Sequence, residues 1–287
     1  MSGSGRVAVV TDSTAYLPDG LAGRYDVAVV PLRVVIDHRS GAEGRDVHPA
    51  EVAELLGGPG HRRHRITTSR PSPQDFTVAY QAAARAGARA LVSVHLSGAL
   101  SGTVESARQA AGSAPVPVRV VDSRTTAMGL GFAVLAAAEL AAGERSLDEV
   151  ATAAELAAGR TTTLFYVDTL EYLRRGGRIG QASALLGSAL AMKPLLHMAG
   201  GGIEALEKVR TASRAIGRLA ELAVDAAGTG PVDIAVHHLG SPDRADALAA
   251  TLRGRLPALH ALYVGEVGAV IGAHVGPGVL AAVVSRR

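Results

Sequence analysis

Read for its alternation of apolar and polar positions, the chain falls into short β-branched runs separated by Ala-rich stretches of helical length. The runs are Val7–Thr11, Val27–Val30 continued after Pro31 by Leu32–Ile36, Ala90–Val94 and Val118–Val121. Between them lie stretches of helical spacing: Pro49–Leu56, a helix opened by Pro71 and Pro73 and running through Gln81 to Ala86, Ser101–Ala111, and a long helix after Thr125. A turn is expected at Arg39-Ser40-Gly41. Proline suits a first helical turn because its missing N–H has no intrahelical partner there. This order of elements predicts a mostly parallel sheet flanked by helices.

A second section begins near Thr161. It should hold a strand at Leu164–Val167, helices at Leu170–Leu173 and Ala182–Met192, and a hairpin in which Gly200-Gly201-Gly202 joins Leu195–His197 to Ile203–Val209. A helix Ala212–Ala226, a strand Asp233–Val236, a helix after Pro242 and short terminal strands follow. The expected fold is two-lobed α/β. Residues 1–162 form an N-terminal lobe, with a small hairpin-containing segment near 31–66, and residues 163–287 form a C-terminal α/β lobe. A ligand is expected between the lobes, the usual position for one in such an architecture.

Composition narrows the choices. With 287 residues and 48% apolar residues, a substantial core is available, yet aromatics are only 3%. Ala, Val, Leu and Gly must therefore fill it. There is no cysteine, which removes disulfides, thiolate metal sites and a cysteine nucleophile, and fits a cytoplasmic location. The start of the chain shows no cationic leader or cleavage site. The longest apolar stretch, Ala127–Leu140, is interrupted by Glu139 and is too short to span a bilayer. The formal charge of +3 is mild. Basic residues concentrate at His61–Arg65, read as solvated surface, and at Arg174, Arg175 and Arg178.

Candidate chemistry gathers at strand ends. Thr11-Asp12-Ser13-Thr14, Ser97–Thr103 and Asp122-Ser123 each put hydroxyl or acidic side chains just after a predicted strand, where open parallel sheets bind ligands. Such groups also cap helices. In Ser97–Thr103, two glycines within a hydroxyl-rich loop tilt the balance toward a ligand. Enzyme signatures are missing. There is no phosphate-binding P-loop, Ser97 and Ser101 lack the glycine of a nucleophile elbow, and Gly129-Leu130-Gly131 sits in a helical stretch. The adjacent His237 and His238 would face opposite sides of a strand, so no metal site is expected. His274 stands out because Gly272, Gly276 and Gly278 frame it and allow close backbone approach.

In order along nearly the whole chain, these segments resemble the DegV family. Thr11–Thr14 is similar to its opening D-S-T and Pro31-Leu32 to its P-L. Thr68–Ser72 is similar to T-S-Q-P-S, Ser97–Thr103 to S-S-x-L-S-G-T, and Val121–Ser123 to its short D-S. Asp168–Ile179 matches D-x-L-x-x-L-x-x-G-G-R-I; Lys193-Pro194, Arg210 and His274–Gly278 complete the series. The resemblance implies a two-lobed protein that binds one long-chain fatty acid and presents its carboxylate to a separate ATP-binding fatty acid kinase subunit. It implies no catalytic residue and no cofactor beyond the fatty acid ligand.

Carried over residue by residue, Thr68, Ser97 and His274 contact the carboxylate and Gly98 adds a backbone N–H. Asp12, Ser13, Ser101 and Thr103 support them. Arg174, Arg175 and Arg178 would face the kinase subunit, although an ordinary charged helix end explains them about as well, with Arg178 the stronger functional candidate. Neither nucleic-acid binding nor a transmembrane segment is expected, and any membrane contact would be transient. Three positions depart from the pattern: Arg70 for glutamine, Gly98 for the second serine, and Val104 for an aromatic. The alternative reading is a stand-alone hydrolase of a lipid ester using Ser97, His274 and Asp12.

Overall fold

The structure is a computed structural model that describes residues 6–57, 64–143, 145–185 and 192–287. The first half runs β1 (Val7–Asp12), a 3₁₀ turn (Ser13–Ala15), α1 (Leu21–Arg24), β2 (Ala28–Val30), β3 (Arg33–Ile36), β4 (Arg39–Ala42), α2 (Pro49–Gly57), β5 (Ile66–Ser69), α3 (Pro73–Arg85), β6 (Ala90–His95), α4 (Thr103–Ala111), β7 (Val118–Asp122), α5 (Met128–Ala141) and α6 (Leu147–Gly159). The second runs β8 (Thr161–Tyr166), α7 (Glu171–Arg175), a 3₁₀ turn (Gly180–Leu185), β9 (Lys193–Ala199), β10 (Gly202–Val209), α8 (Ala212–Ala227), β11 (Val232–His238), α9 (Pro242–Arg255), β12 (Leu259–Glu266), α10 (Ala269–Val275) and β13 (Leu280–Arg286).

Two compact units result, one of Met1–Arg33 with Ser69–Gly159 and one of Val34–Thr68 with Arg160–Arg287. In the first, four parallel strands lie in the order β2-β1-β6-β7. Strand side chains alternate between faces, so β1 serves two cores at once. Val7 and Val9 pack with Leu130, Ala133 and Val134 of α5 and with Val150 and Ala154 of α6. Ala8 and Val10 pack with Phe76 and Tyr80 of α3 and Ala107 of α4. Both faces are covered, as an all-parallel sheet requires. Helix α3 is held at its start by a capping box, in which Ser72 and Asp75 exchange side-chain and backbone bonds.

The second unit is built on a six-stranded sheet in the order β10-β9-β8-β13-β11-β12. Only β11 and β12 are parallel; the other pairs are antiparallel. Leu164, Tyr166, Ile234, Val236, Leu280 and Ala282 on one face pack against Leu219 and Ala223 of α8 and Leu248 and Leu252 of α9. A three-stranded sheet, β4-β3-β5, is formed largely from the same unit.

The expected α/β class holds, with several local corrections. The turn placed at Arg39–Gly41 is strand β4. The chain reverses instead at Asp37-His38, where Asp37 takes φ 52 and accepts from the Arg65 N–H at 2.9 Å. Asp tolerates that left-handed conformation better than most residues, which is why it holds the turn. Strand β5 and helix α10 were not expected, and the single helix after Thr125 is two, α5 and α6. The sheet of the second section is mostly antiparallel, the β11–β12 pair excepted. The segment near 31–66, expected with the N-terminal lobe, groups with the C-terminal half as Val34–Thr68. Its bonds explain why: the Glu43 carboxylate accepts from Val270 N on α10 at 2.7 Å, and Tyr172 of α7 donates to Leu56 O at 3.0 Å. The helix expected over Ala182–Met192 is a 3₁₀ turn to Leu185, and 186–191 lie outside the described residues. So do His61–Arg63 of the first basic run.

His237 on β11 is only 3% exposed, with Nδ1 against Gly265 O at 3.1 Å. Burial pushes its pKa down from 6.5 to about 4. The unfolded chain therefore binds this proton more readily than the fold does. The stability His237 contributes is complete above pH 6.5 and is lost as pH falls toward 4. By pH 5 the loss should be on the order of 2 kcal/mol. Urea unfolding of wild type and His237→Asn at pH 7.5 and pH 5 checks this: the variant should lose less stability on acidification, and equal losses would refute the assignment.

Candidate functional site

In the first unit, the carboxyl ends of β1, β6 and β7 gather the hydroxyl and acidic segments singled out in the sequence. Asp12 is fully buried. Its Oδ1 accepts from Thr14 N at 3.1 Å and Thr14 Oγ1 at 2.6 Å, and its Oδ2 accepts from Leu96 N at 3.0 Å and meets His95 Nδ1 at 3.0 Å. Ser13 Oγ accepts from Leu32 N at 3.0 Å, which joins the D-S-T and P-L segments. Ser97 is 1% exposed, and its Oγ accepts from Ala99 N at 3.2 Å. Ser101 Oγ and Thr103 Oγ1 bond at 2.9 Å at the start of α4. Asp12 thus holds Leu96, the residue before Ser97, Ser101 and Thr103 bond each other in the loop that follows, and Ser13 reaches Leu32 instead.

Gly98 is placed differently from expectation. Its N–H, assigned by resemblance to the ligand, points at Asp122, with both carboxylate oxygens at 3.2 Å. A Cβ at Gly98 would come within 2.9 Å of Asp122 Oδ2. The serine that the family pattern carries here would thus push Asp122 aside. Arg70 lies over Gly102, donating to its carbonyl at 3.3 Å, so this cation sits beside the amino end of α4.

In the second unit, Thr68 at the end of β5 meets His274 on α10, with Oγ1 and Nε2 at 2.7 Å. Among the described residues, His274 Nδ1 is buried without a hydrogen-bond partner. Burial, reinforced by the nearby Arg178 charge, brings the His274 pKa down from 6.5 to about 4. The imidazole is therefore neutral at pH 7. A neutral imidazole, a hydroxyl and a neighbouring guanidinium favour an anion without placing a second cation in the interior.

The Asp168–Ile179 and His274–Gly278 segments pack on each other through missing side chains. A Cβ on Gly176 would lie 2.1 Å from His274 Nδ1, one on Gly276 2.1 Å from the Tyr172 ring, and one on Gly278 2.1 Å from Asp168 Oδ2. Asp168 in turn accepts from Lys193 Nζ at 3.1 Å and bonds the Tyr166 hydroxyl. Of the three arginines, Arg174 and Arg175 both pair with Glu171 at 2.7 Å, which holds the Glu171 carboxyl down at about 2. Arg178 is half-buried, and its Nη1 donates to Gly176 O at 2.6 Å. It belongs with His274, whereas Arg174 and Arg175 are exposed surface.

Sequence reasoning missed His95, Ser93 and Tyr80. Tyr80 OH donates to Ser93 Oγ at 2.9 Å, and Ser93 Oγ lies 2.7 Å from His95 Nε2. The available signal was two polar residues at i and i+2 in an otherwise apolar strand. No group of three His, Cys, Asp or Glu that could hold a metal occurs among the described residues. None of their helices is long and apolar enough to cross a membrane.

The chain belongs to the DegV family, whose model, described as that of an uncharacterised protein, matches residues 6–287. A DegV domain-containing protein of Streptomyces coelicolor is 57% identical over 99% of this chain and 100% of its own length. One of Mycobacterium tuberculosis is 40% identical, with 95% of this chain and 94% of that protein covered. Among solved structures, a fatty-acid-binding DegV family protein from Thermus thermophilus superposes with a TM-score of 0.90 at 35% identity, covering 98% of this chain and 100% of the other. DegV of Bacillus subtilis, a fatty acid binding protein, gives 0.89 at 31%, covering 99% and 100%.

Gly176 has φ −74, which any residue adopts, so a side chain there tests packing alone. Gly176→Ala should displace the His274 ring, break its bond to Thr68 and cost about 1–3 kcal/mol in denaturant unfolding. Unchanged stability together with unchanged ¹⁵N shifts of His274 would show that the ring does not need the space.

Proposed function

We propose that the chain binds one long-chain fatty acid and presents its carboxylate to a separate ATP-binding kinase subunit in the bacterial cytoplasm. The observation that carries the binding half is that solved relatives sharing 31% or more of its residues over almost its whole length are fatty-acid-binding proteins. The kinase half and the location rest on the family resemblance. Thr68, Ser97, Gly98 and His274 are the proposed carboxylate contacts, with Asp12, Ser13, Ser101 and Thr103 as their support. Arg178 adds positive charge, while Arg174 and Arg175 are offered to the partner.

The chemistry of the parts supports this reading. A carboxylate leaving water must regain hydrogen bonds or incur a cost of several kcal/mol. The Thr68 hydroxyl and neutral His274 carry one O–H and one N–H between them; their own bond uses one and leaves the other for a carboxylate oxygen. A ligand oxygen reaching Gly98 would share its N–H with Asp122, so that contact comes second to Thr68 and His274. Each methylene of the tail buried in protein contributes about 0.8 kcal/mol, so affinity comes mainly from the chain and orientation from the head. The alternative, a lipid-ester hydrolase, loses its third member: both Asp12 carboxylate oxygens already accept from Thr14, His95 and Leu96.

Native mass spectrometry of gently purified protein should show one non-covalently retained fatty acid. Thr68→Ala and Ser97→Ala should each lower that occupancy several-fold while leaving circular dichroism unchanged. Wild-type protein without lipid, together with ester turnover abolished in Ser97→Ala, would replace this reading with the hydrolase.

A further inference from the structure

The hydrogen-bond order Ser93–His95–Asp12 has the logic of a catalytic triad, with Oγ to Nε2 at 2.7 Å and Nδ1 to carboxylate at 3.0 Å. All three residues have no exposure. Ser93 Oγ is closed from the other side by the Tyr80 hydroxyl, and the imidazole is packed edge-on against Phe76, with ring centroids 4.9 Å apart. A nucleophile must be reached by its substrate, and this serine is sealed inside the first unit.

The direction of the bonds shows what the chain of groups does. Thr14 N, Thr14 Oγ1 and Leu96 N already point at the Asp12 carboxyl, which is thereby used as an acceptor on both oxygens. His95 Nδ1 is then the donor to Asp12, which leaves Nε2 to accept from Ser93. Tyr80 donating into Ser93 leaves the serine proton free to serve that role. Each member fixes the tautomer or rotamer of the next, ending on an aspartate that grips Leu96, the residue before Ser97.

We infer that His95 is a positioning residue for the ligand head group. Through its Nδ1–H it orients Asp12, and Asp12 holds the Leu96 N–H and so sets the backbone that delivers Ser97. The inference rests on the proposed fatty acid reading for its readout but not for its geometry.

The test compares two polar replacements that both lose the ring and its Phe76 contact. His95→Asn keeps a donor where Nδ1 was, facing Asp12; His95→Gln puts its amide at the Nε2 end, toward Ser93. With the fluorescent fatty acid cis-parinaric acid as probe, His95→Asn should bind within about threefold of wild type and His95→Gln roughly tenfold more weakly. A merely structural role would impair both alike, and equal affinities, or tighter binding by His95→Gln, would overturn the proposal. Independently, ¹⁵N spectra of wild type at pH 7 should show His95 protonated on Nδ1 and bare on Nε2. The opposite tautomer or an imidazolium would refute it even if neither variant folds. Wild type that binds no cis-parinaric acid sinks the fatty acid reading instead and leaves the tautomer result standing.

Discussion

A carboxyl group with no access to water must find its hydrogen bonds inside the protein, and Asp12 does so at the point where two strands end. Its four donors come from the turn after β1 and from the end of β6. Removing any of them would leave an unpaired polar group in a site from which water is excluded, a heavier loss than the bond itself. The strand ends are thus held in one arrangement, and the loop from Ser97 to Thr103 inherits it. Ser13, bonded to Leu32 N, ties the adjoining segment to the same frame.

The second unit meets the same problem with space rather than charge. His274 sits neutral because burial and the Arg178 guanidinium both oppose a proton. It can sit there only because Gly176 has no Cβ. The long segment Asp168–Ile179 and the short one His274–Gly278 are therefore one packing unit, although about a hundred residues separate them. Insertion of Val34–Thr68 supplies what that unit lacks: Thr68 for His274, and Glu43 for the Val270 N–H in the first turn of α10. A carboxylate at a helix start satisfies donors that the helix itself cannot.

Much of this was legible in the sequence because it follows from local rules. The short, near-continuous apolar runs of β1 and β6, the proline-opened α3 and the Gly-rich β9–β10 turn each carry their own signal. The ordered motifs also pointed to Thr68 and His274, which the structure brings together. What the sequence hid was non-local. Nothing near Asp37 says that it, rather than Gly41, turns the chain; that depends on Arg65 being at hand to donate. Helix α10, with seven residues, is shorter than its own pattern can declare. The grouping of 34–68 with the C-terminal half is written in Glu43 and Leu56 finding partners more than a hundred residues away. Gly98 is the subtlest case, since the motif marks its N–H as a ligand contact while Asp122 already takes it.

The two polar clusters also bear on why a carrier reading suits the chain better than a hydrolase. Hydrolysis of an ester needs a nucleophile with an available base and a third group to orient it. The Ser93-His95-Asp12 arrangement in the first unit is sealed, and its aspartate also accepts from Thr14 and the Leu96 N–H. His274 is bonded to a threonine and carries a depressed pKa. That makes it a poor proton acceptor from a serine at neutral pH but a good neutral partner for an anion. Groups arranged to donate and to remain uncharged recognise a carboxylate without attacking it. The protein's polar interior thus fixes backbone at the strand ends of the first unit and keeps a neutral imidazole bonded to a hydroxyl in the second.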